Sequence, residues 1–169
     1  MTTSVPKLIQ NSDSTHTAGA VIIRPESPLH PDLAPLWAAK LALSRSLYPA
    51  ESDYSYSPDE LAKANVLFLV VEHAGRFVGC GAAANHGDYG ELKSMFIFEE
   101  MRGQRIGEQL IRRLEAFMVE QGLTVARLET GVDSHSALRL YTRMGYIPRG
   151  PFGNYVDDPL CVFMEKRLC

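Results

Sequence analysis

Six residues constrain this chain most: Arg102-Gly103-Gln104-Arg105-Ile106-Gly107 stand between a strand-like run and a long amphipathic helix. The run before them, Glu91-Leu92-Lys93-Ser94-Met95-Phe96-Ile97-Phe98, is rich in aromatic and β-forming residues. After them Ile106, Leu110, Ile111, Leu114, Phe117 and Met118 recur at helical spacing. Strand, glycine-bearing turn and helix, in that order, aim unpaired backbone N–H groups at whatever occupies the turn. The helix dipole adds positive potential there, so a phosphate suits the place. Gly103 and Gly107 let the chain turn tightly and let a ligand approach the backbone. The spacing excludes both the three-glycine dinucleotide fingerprint and the Walker A loop.

A chain of 169 residues is long enough to bury one substantial core. Its net charge of −3 argues against a nucleic-acid binder driven by bulk electrostatics. Arg102, Arg105, Arg112 and Arg113 nevertheless cluster at one helix start, and Arg112 and Arg113 read as a solvated helix face. Cys80, Cys161 and Cys169 lack metal-ligand spacing and suit a reducing cytoplasm better than a disulfide framework. No apolar run reaches membrane-spanning length. Residues 1–19 are polar and rich in Ser and Thr, without the apolar segment of a signal peptide. They read as a mobile tail ahead of one domain at 20–169.

Along the chain, Ala20–Arg24 predicts a first strand closed by Pro25. A helix follows, carrying Leu33, Leu36, Trp37 and Leu41, and ends before Pro49. Ser57-Pro58-Asp59-Glu60 opens a short helix to about Ala64. Val66–Val71 reads as a buried strand, and Phe77–Ala83 pairs back on it after the Ala74-Gly75-Arg76 turn. The strand from Glu91 and the long helix come next, the latter closed by Gly122. Val125–Thr130 is a strand. Ala137, Leu140, Tyr141 and Met144 mark a helix that starts at Asp133 or Ser134 and stops at Gly145. The last strand is Leu160–Met164. The order β-α-α-β-β-β-α-β-α-β-β predicts one α/β domain.

Residues 102–107 resemble the pyrophosphate loop of the GNAT acyltransferases, R/Q-x-x-G-x-G/A. Arg102 holds the first position and Gly107 the last, with Arg105 where glycine is usual. A second stretch, Ser134 to Tyr146, is similar to the family's N-x-x-A-x-x-L-Y-x-x-x-G-F/Y. Ala137, Leu140, Tyr141, Gly145 and Tyr146 match, and Ser134 replaces the asparagine. Each motif is weak alone; the pair in this order is strong. Tyr48-Pro49-Ala50-Glu51-Ser52, Glu129-Thr130-Gly131 and Phe152–Pro159 further resemble a subgroup of small stand-alone bacterial members. The resemblance implies a single-domain α/β fold with a mixed, mostly antiparallel central sheet flanked by helices. It also implies acetyl-CoA as co-substrate, with no metal.

It further implies that Arg102, Gly103, Gln104, Arg105, Ile106, Gly107 and Ser134 bind the cofactor. Main-chain groups of Met95, Phe96 and Ile97 would hold the pantetheine arm and polarise the thioester. Tyr141 would protonate the departing thiolate, since a phenol of ordinary pKa keeps its proton at neutral pH. Periodicity alone equally permits Tyr141 as a core residue. Glu91 is the candidate general base for the attacking amine; the residue alone also permits a solvent-facing edge carboxylate or a cation binder. Glu51, Tyr54, Tyr89 and Tyr155 lie in three loops that could wall the acceptor pocket, since carboxylates and aromatics suit a cationic amine. His86 reads as a surface turn histidine. Cys80 has no paired base and is not expected to carry an acyl group. The expected acceptor is a small-molecule amine, with a protein or peptide amine as alternative. Acyl-CoA sensing without turnover is the non-enzymatic alternative. Homodimers recur in such families, but no stripe in this sequence marks an interface.

Overall fold

The computed structural model describes residues 19–169. The expected tail therefore lies outside the described residues except for Gly19. Seven strands form one sheet in the order β1-β2-β3-β4-β5-β7-β6. They are β1 (Ile22–Pro25), β2 (Val66–His73), β3 (Arg76–Asn85), β4 (Gly90–Ile97), β5 (Val125–Gly131), β6 (Ile147–Arg149) and β7 (Cys161–Arg167). Every pairing is antiparallel except β4 with β5. Four helices complete the domain: α1 (Ala34–Leu47), α2 (Pro58–Leu61), α3 (Ile106–Glu120) and α4 (His135–Arg143).

Both faces of the sheet are covered, which is why β2 reads as a continuous apolar run rather than an alternating one. Leu69 and Val71 point into a core with Leu110, Ile111, Leu114 and Met118 of α3 and Tyr141 of α4. Phe68 and Val70 point the other way, against Leu33, Leu36 and Leu61. Each such buried aliphatic side chain contributes about 1.5–3 kcal/mol of transfer free energy.

Several boundaries differ from expectation for local reasons. Pro25 pairs with Leu69 inside β1, tolerated because β1 is an edge strand. Helix α2 stops at Leu61, four residues beyond the cap. Its start is a reciprocal capping box, with Glu60 N–H donating to Ser57 Oγ and Ser57 N–H to Glu60 Oε2. Leu41 is exposed. The inward stripe of α1 instead continues from Leu36 through Lys40 and Ser44, both of which face a cavity. Arg113 is not merely solvated: its guanidinium donates to the Ile23 carbonyl of β1.

The feature that shapes the site is a bulge in β4. Ala82 pairs with Lys93 and Cys80 with Phe96, so one residue more lies on β4 than on β3 between them. Ser94 takes up the excess in a left-handed conformation (φ 54°). Beyond the bulge β4 leaves its parallel neighbour: pairing with β5 covers only Gly90–Leu92 opposite Ala126–Leu128. β5 runs on to Gly131 against β7 alone.

Tyr48, at the end of α1, spans the far side of this opening. Its hydroxyl accepts from the Asp133 amide at 3.0 Å and meets Ser134 Oγ at 3.0 Å. Ser134 therefore occupies the N-cap position of α4 without capping it through its side chain. A Cβ on Gly131 would fall inside the Tyr48 ring. Gly131→Ala should expel that ring and cost about 1–3 kcal/mol by lost hydrogen bonds and overpacking. In a Tyr48→Ala background the same change should cost nothing further. Chemical denaturation of the four proteins checks this, and additive costs would remove the Tyr48–Gly131 contact from the account.

Candidate active site

The turn before α3 has the expected donors. Gly103 (φ 77°) and Arg105 (φ 60°) both sit in the left-handed region. Arg105 thus holds the conformation for which glycine is the usual residue. The first α-helical bond from this end is Gln109 N–H to Arg105 O at 3.2 Å. Among the described residues no protein acceptor meets the amides of residues 103–108. Arg102, Gln104 and Arg105 are exposed around them. Arg102 also donates from Nε to the Ile97 carbonyl at 3.1 Å, tying the turn to the end of β4. Gly107 also has a packing reason. It is buried, and a Cβ there would lie 2.7 Å from Leu140 Cδ2, so it lets α4 pack against the start of α3.

The splayed strands open onto a cavity of about 150 Å³. Its lining includes Ser94 and Met95 of β4, Tyr141 of α4, Lys40 and Ser44 of α1, Tyr54, and Glu129 and Thr130 of β5. Ser94 Oγ is buried and has no protein partner, a polar group left for a bound molecule to satisfy. Tyr141 is 6 % exposed. Burial first, then the nearby Glu129 charge, pushes its phenol well above the ordinary tyrosine range. Burial likewise raises the carboxyl of Glu129, partly offset by a Cys161 hydrogen bond and the Lys93 charge.

Glu91 lies elsewhere than at an open edge. It is 2 % exposed, and its neighbours Leu92 and Lys93 line the cavity while it does not. Its carboxylate accepts from the Tyr155 hydroxyl, meets His86 Nε2 at 2.9 Å and pairs with Lys93 Nζ at 3.5 Å. Lys93 donates in turn to the Tyr54 carbonyl (2.9 Å) and the Tyr155 hydroxyl (2.8 Å), and sits 4.5 Å over the Tyr56 ring. Every charge here is paired and hydrogen-bonded, as burial demands. Burial, then the Glu91 charge, drives the Tyr155 phenol far above its usual range. His86 is, as expected, an exposed residue of the turn between β3 and β4, and from there its ring reaches the Glu91 carboxylate.

Of the four expected acceptor residues, Tyr54 alone lines the cavity. Tyr155 stands behind it, edge-on to Tyr54 at 5.4 Å and bound to Glu91 and Lys93. Tyr89 stacks on His86 and lies 4.4 Å beneath the Arg127 guanidinium. Glu51 is exposed in a 3-10 turn. Phe96 and Ile97 extend β4 beyond the bulge, pairing with β3. Cys80 is buried, donates to the Ser94 carbonyl at 3.1 Å and has its thiol pushed up to about 12 by burial, so it stays a thiol. Lys40, Tyr48 and Glu129 were missed as site residues. Lys40 had a signal, since it stands four residues after buried Leu36 on the inward face. Glu129 had a weaker one, as a carboxylate directly after the apolar Leu128 near the end of β5.

The model of the Acetyltransferase (GNAT) family matches residues 34–146. An IAA acetyltransferase of Azospirillum brasilense is 43 % identical over 150 residues, covering 88 % of this chain and 98 % of the relative. A solved structure from Klebsiella pneumoniae, described as an acyl-CoA N-acyltransferase, is 36 % identical with a TM-score of 0.74, covering 88 % of this chain and 98 % of that one. The PaiA N-acetyltransferase of Thermoplasma acidophilum, solved with coenzyme A, shares the fold at a TM-score of 0.69 and 20 % identity, over 88 % and 99 % of the two chains. With the splayed sheet, the open helix N-terminus and these matches together, the chain belongs to the GNAT acetyltransferase family and is an acyl-CoA-dependent acyltransferase.

Proposed function

We propose that this enzyme moves the acetyl group of acetyl-CoA directly onto the primary amine of a small molecule. The observation that carries this reading is the small cavity of about 150 Å³ between the β4 bulge and the end of α1. That volume admits a group about as large as benzene, which favours a small amine over a peptide. The small-molecule name of the Azospirillum relative points the same way.

The free amides of residues 103–108, flanked by Arg102 and Arg105, suit the pyrophosphate of the co-substrate. The unpaired edge of β4 from Lys93 to Ile97 offers main-chain groups to an extended pantetheine arm, and the unsatisfied Ser94 hydroxyl lies beside it. Glu129, in the cavity and held above the ordinary carboxylate range, is suited to take the proton of the attacking amine, directly or through water. Tyr141 keeps its proton and donates a hydrogen bond to the sulfur as charge develops there. Glu91 acts one step back: it fixes Lys93 and Tyr155, which hold the loops around the acceptor.

Arg105→Asp separates the phosphate site from stability. Aspartate tolerates the left-handed conformation and is a good N-cap, so the helix should not weaken. Acetyl-CoA affinity should fall about tenfold to a hundredfold, because the charge facing the phosphates reverses. In wild type, acetyl-CoA at a hundred times its Kd should add about 2.7 kcal/mol, a Tm rise of roughly 5–10 °C. Equal protection of both proteins would remove the turn from the cofactor site.

Tyr141→Phe should lower kcat by about a hundredfold with acetyl-CoA affinity retained. Glu129→Gln should remove the acid limb of the kcat/KM profile, since the base works only when deprotonated. The same change should not destabilise the fold. A carboxyl with a raised folded-state pKa contributes stability below its unfolded pKa and loses it as pH rises through the folded one. At neutral pH the charge is therefore a cost that glutamine removes. An unaltered pH profile in Glu129→Gln would exclude it as the base.

A further inference from the structure

The acceptor cavity holds a cation that no carboxylate among the described residues contacts as an ion pair. Lys40 reaches the cavity from the inward face of α1, half-buried. Its Nζ finds one protein partner among the described residues, the Ser55 hydroxyl at 3.4 Å, and no carboxylate within ion-pair distance. Lys93, the other cavity lysine, is fully engaged by Glu91, Tyr155 and the Tyr54 carbonyl. Asp53 also faces the cavity and its charge favours the Lys40 ammonium, but it stays beyond ion-pair distance and its carboxylate accepts the amide and hydroxyl of Ser55. Burial already lowers the pKa of Lys40, so the ammonium stands in its place at a cost. Glu129 and Tyr141 border the same cavity, on β5 and α4. One small cavity thus presents an ammonium from α1 that lacks a contact ion pair and a carboxyl from β5.

We propose that the acceptor carries a carboxylate as well as the amine that is acetylated, and that Lys40 binds this carboxylate. A zwitterion of amino-acid size matches both charges: its carboxylate replaces the anion Lys40 lacks, and its ammonium meets Glu129, which takes the proton before attack. The inference rests on the acyl-transfer reading above and names its substrate class. An ammonium on a long stem that ion-pairs a ligand controls recognition rather than the chemical step, so its loss acts chiefly through KM.

The test uses matched acceptors: free amino acids and their carboxamides, which keep the amine and lose the negative charge. Acetyl-CoA-dependent thiol release is followed with wild type, Lys40→Met and Lys40→Arg. Wild type should favour the acids by at least about tenfold in kcat/KM, the scale of one charged hydrogen bond. Lys40→Met should bring the acid-to-amide ratio close to one, mainly by raising KM for the acids. Lys40→Arg should restore part of the preference. Retained Tm protection by acetyl-CoA shows that each variant is folded. Amides and acids used equally by wild type, or a ratio unchanged in Lys40→Met, would overturn the role of Lys40 while leaving amine acetylation standing. Acetyl-CoA protection with no acetylation of any acceptor would overturn the amine-transfer reading and this inference with it.

Discussion

The site depends on a single interruption of hydrogen bonding. One additional residue on β4, absorbed at Ser94, turns the strand away from β5 after Leu92. A parallel ladder that continued would seal the sheet and leave no room for a substrate. Because it stops, the β4 edge from Lys93 onward keeps its peptide groups for a ligand, and Tyr141 looks into the gap from α4. The left-handed backbone of Ser94 costs on the order of 1–3 kcal/mol. Packing on both sheet faces holds it there. Cys80 adds a local tie by donating to the Ser94 carbonyl. The small residues of β3 opposite the bulge belong to the same device, for Gly81 lies against Met95 where a side chain would collide.

Much of this fold was legible in the sequence. Apolar periodicity located α1, α3, α4 and the central strands, a capping signal located α2, and two motifs brought the α3 turn and α4 into one family pattern. What escaped was whatever depended on contacts distant in the chain. The bulge cannot be read from Lys93-Ser94-Met95, because it exists only as a register difference with β3. Glu91 sits where expected on β4, yet its surroundings come from His86, Lys93 and the distant Tyr155. Gly107 was read from its turn alone, and the room it gives Leu140 is a contact distant in the chain. Arg105 illustrates the reverse: the family's glycine position predicts an unusual backbone, and arginine adopts that backbone.

Two lysines and two glutamates on neighbouring elements divide into different roles by their partners alone. Glu91 and Lys93 satisfy each other and are joined by Tyr155, His86 and the Tyr54 carbonyl. Such a buried pair adds little net stability, since desolvation offsets the attraction. Its value lies in geometry. The contacts to Tyr54, Tyr56 and Tyr155 fasten the loop before α2 and the loop before β7 onto β4. These loops bound the acceptor cavity, and Asp158 reinforces their meeting by accepting from Ser52 Oγ at 2.8 Å.

Lys40 and Glu129 are the opposite case. Each is partly removed from water, and burial works against the charged form of both. Neither charge has a contact ion pair among the described residues, and for each the cost of burial outweighs the compensation its neighbours supply. A protein selected only for stability would replace them, as apolar substitution of such sites is commonly neutral or stabilising. Their cost is recovered only when a molecule of complementary charge enters. Poor internal pairing therefore marks the groups that face substrate, and complete pairing, as at Glu91, marks those that build the frame. By that physical criterion the proposed acceptor recognition rests on α1 and β5, with the Glu91 cluster as its support.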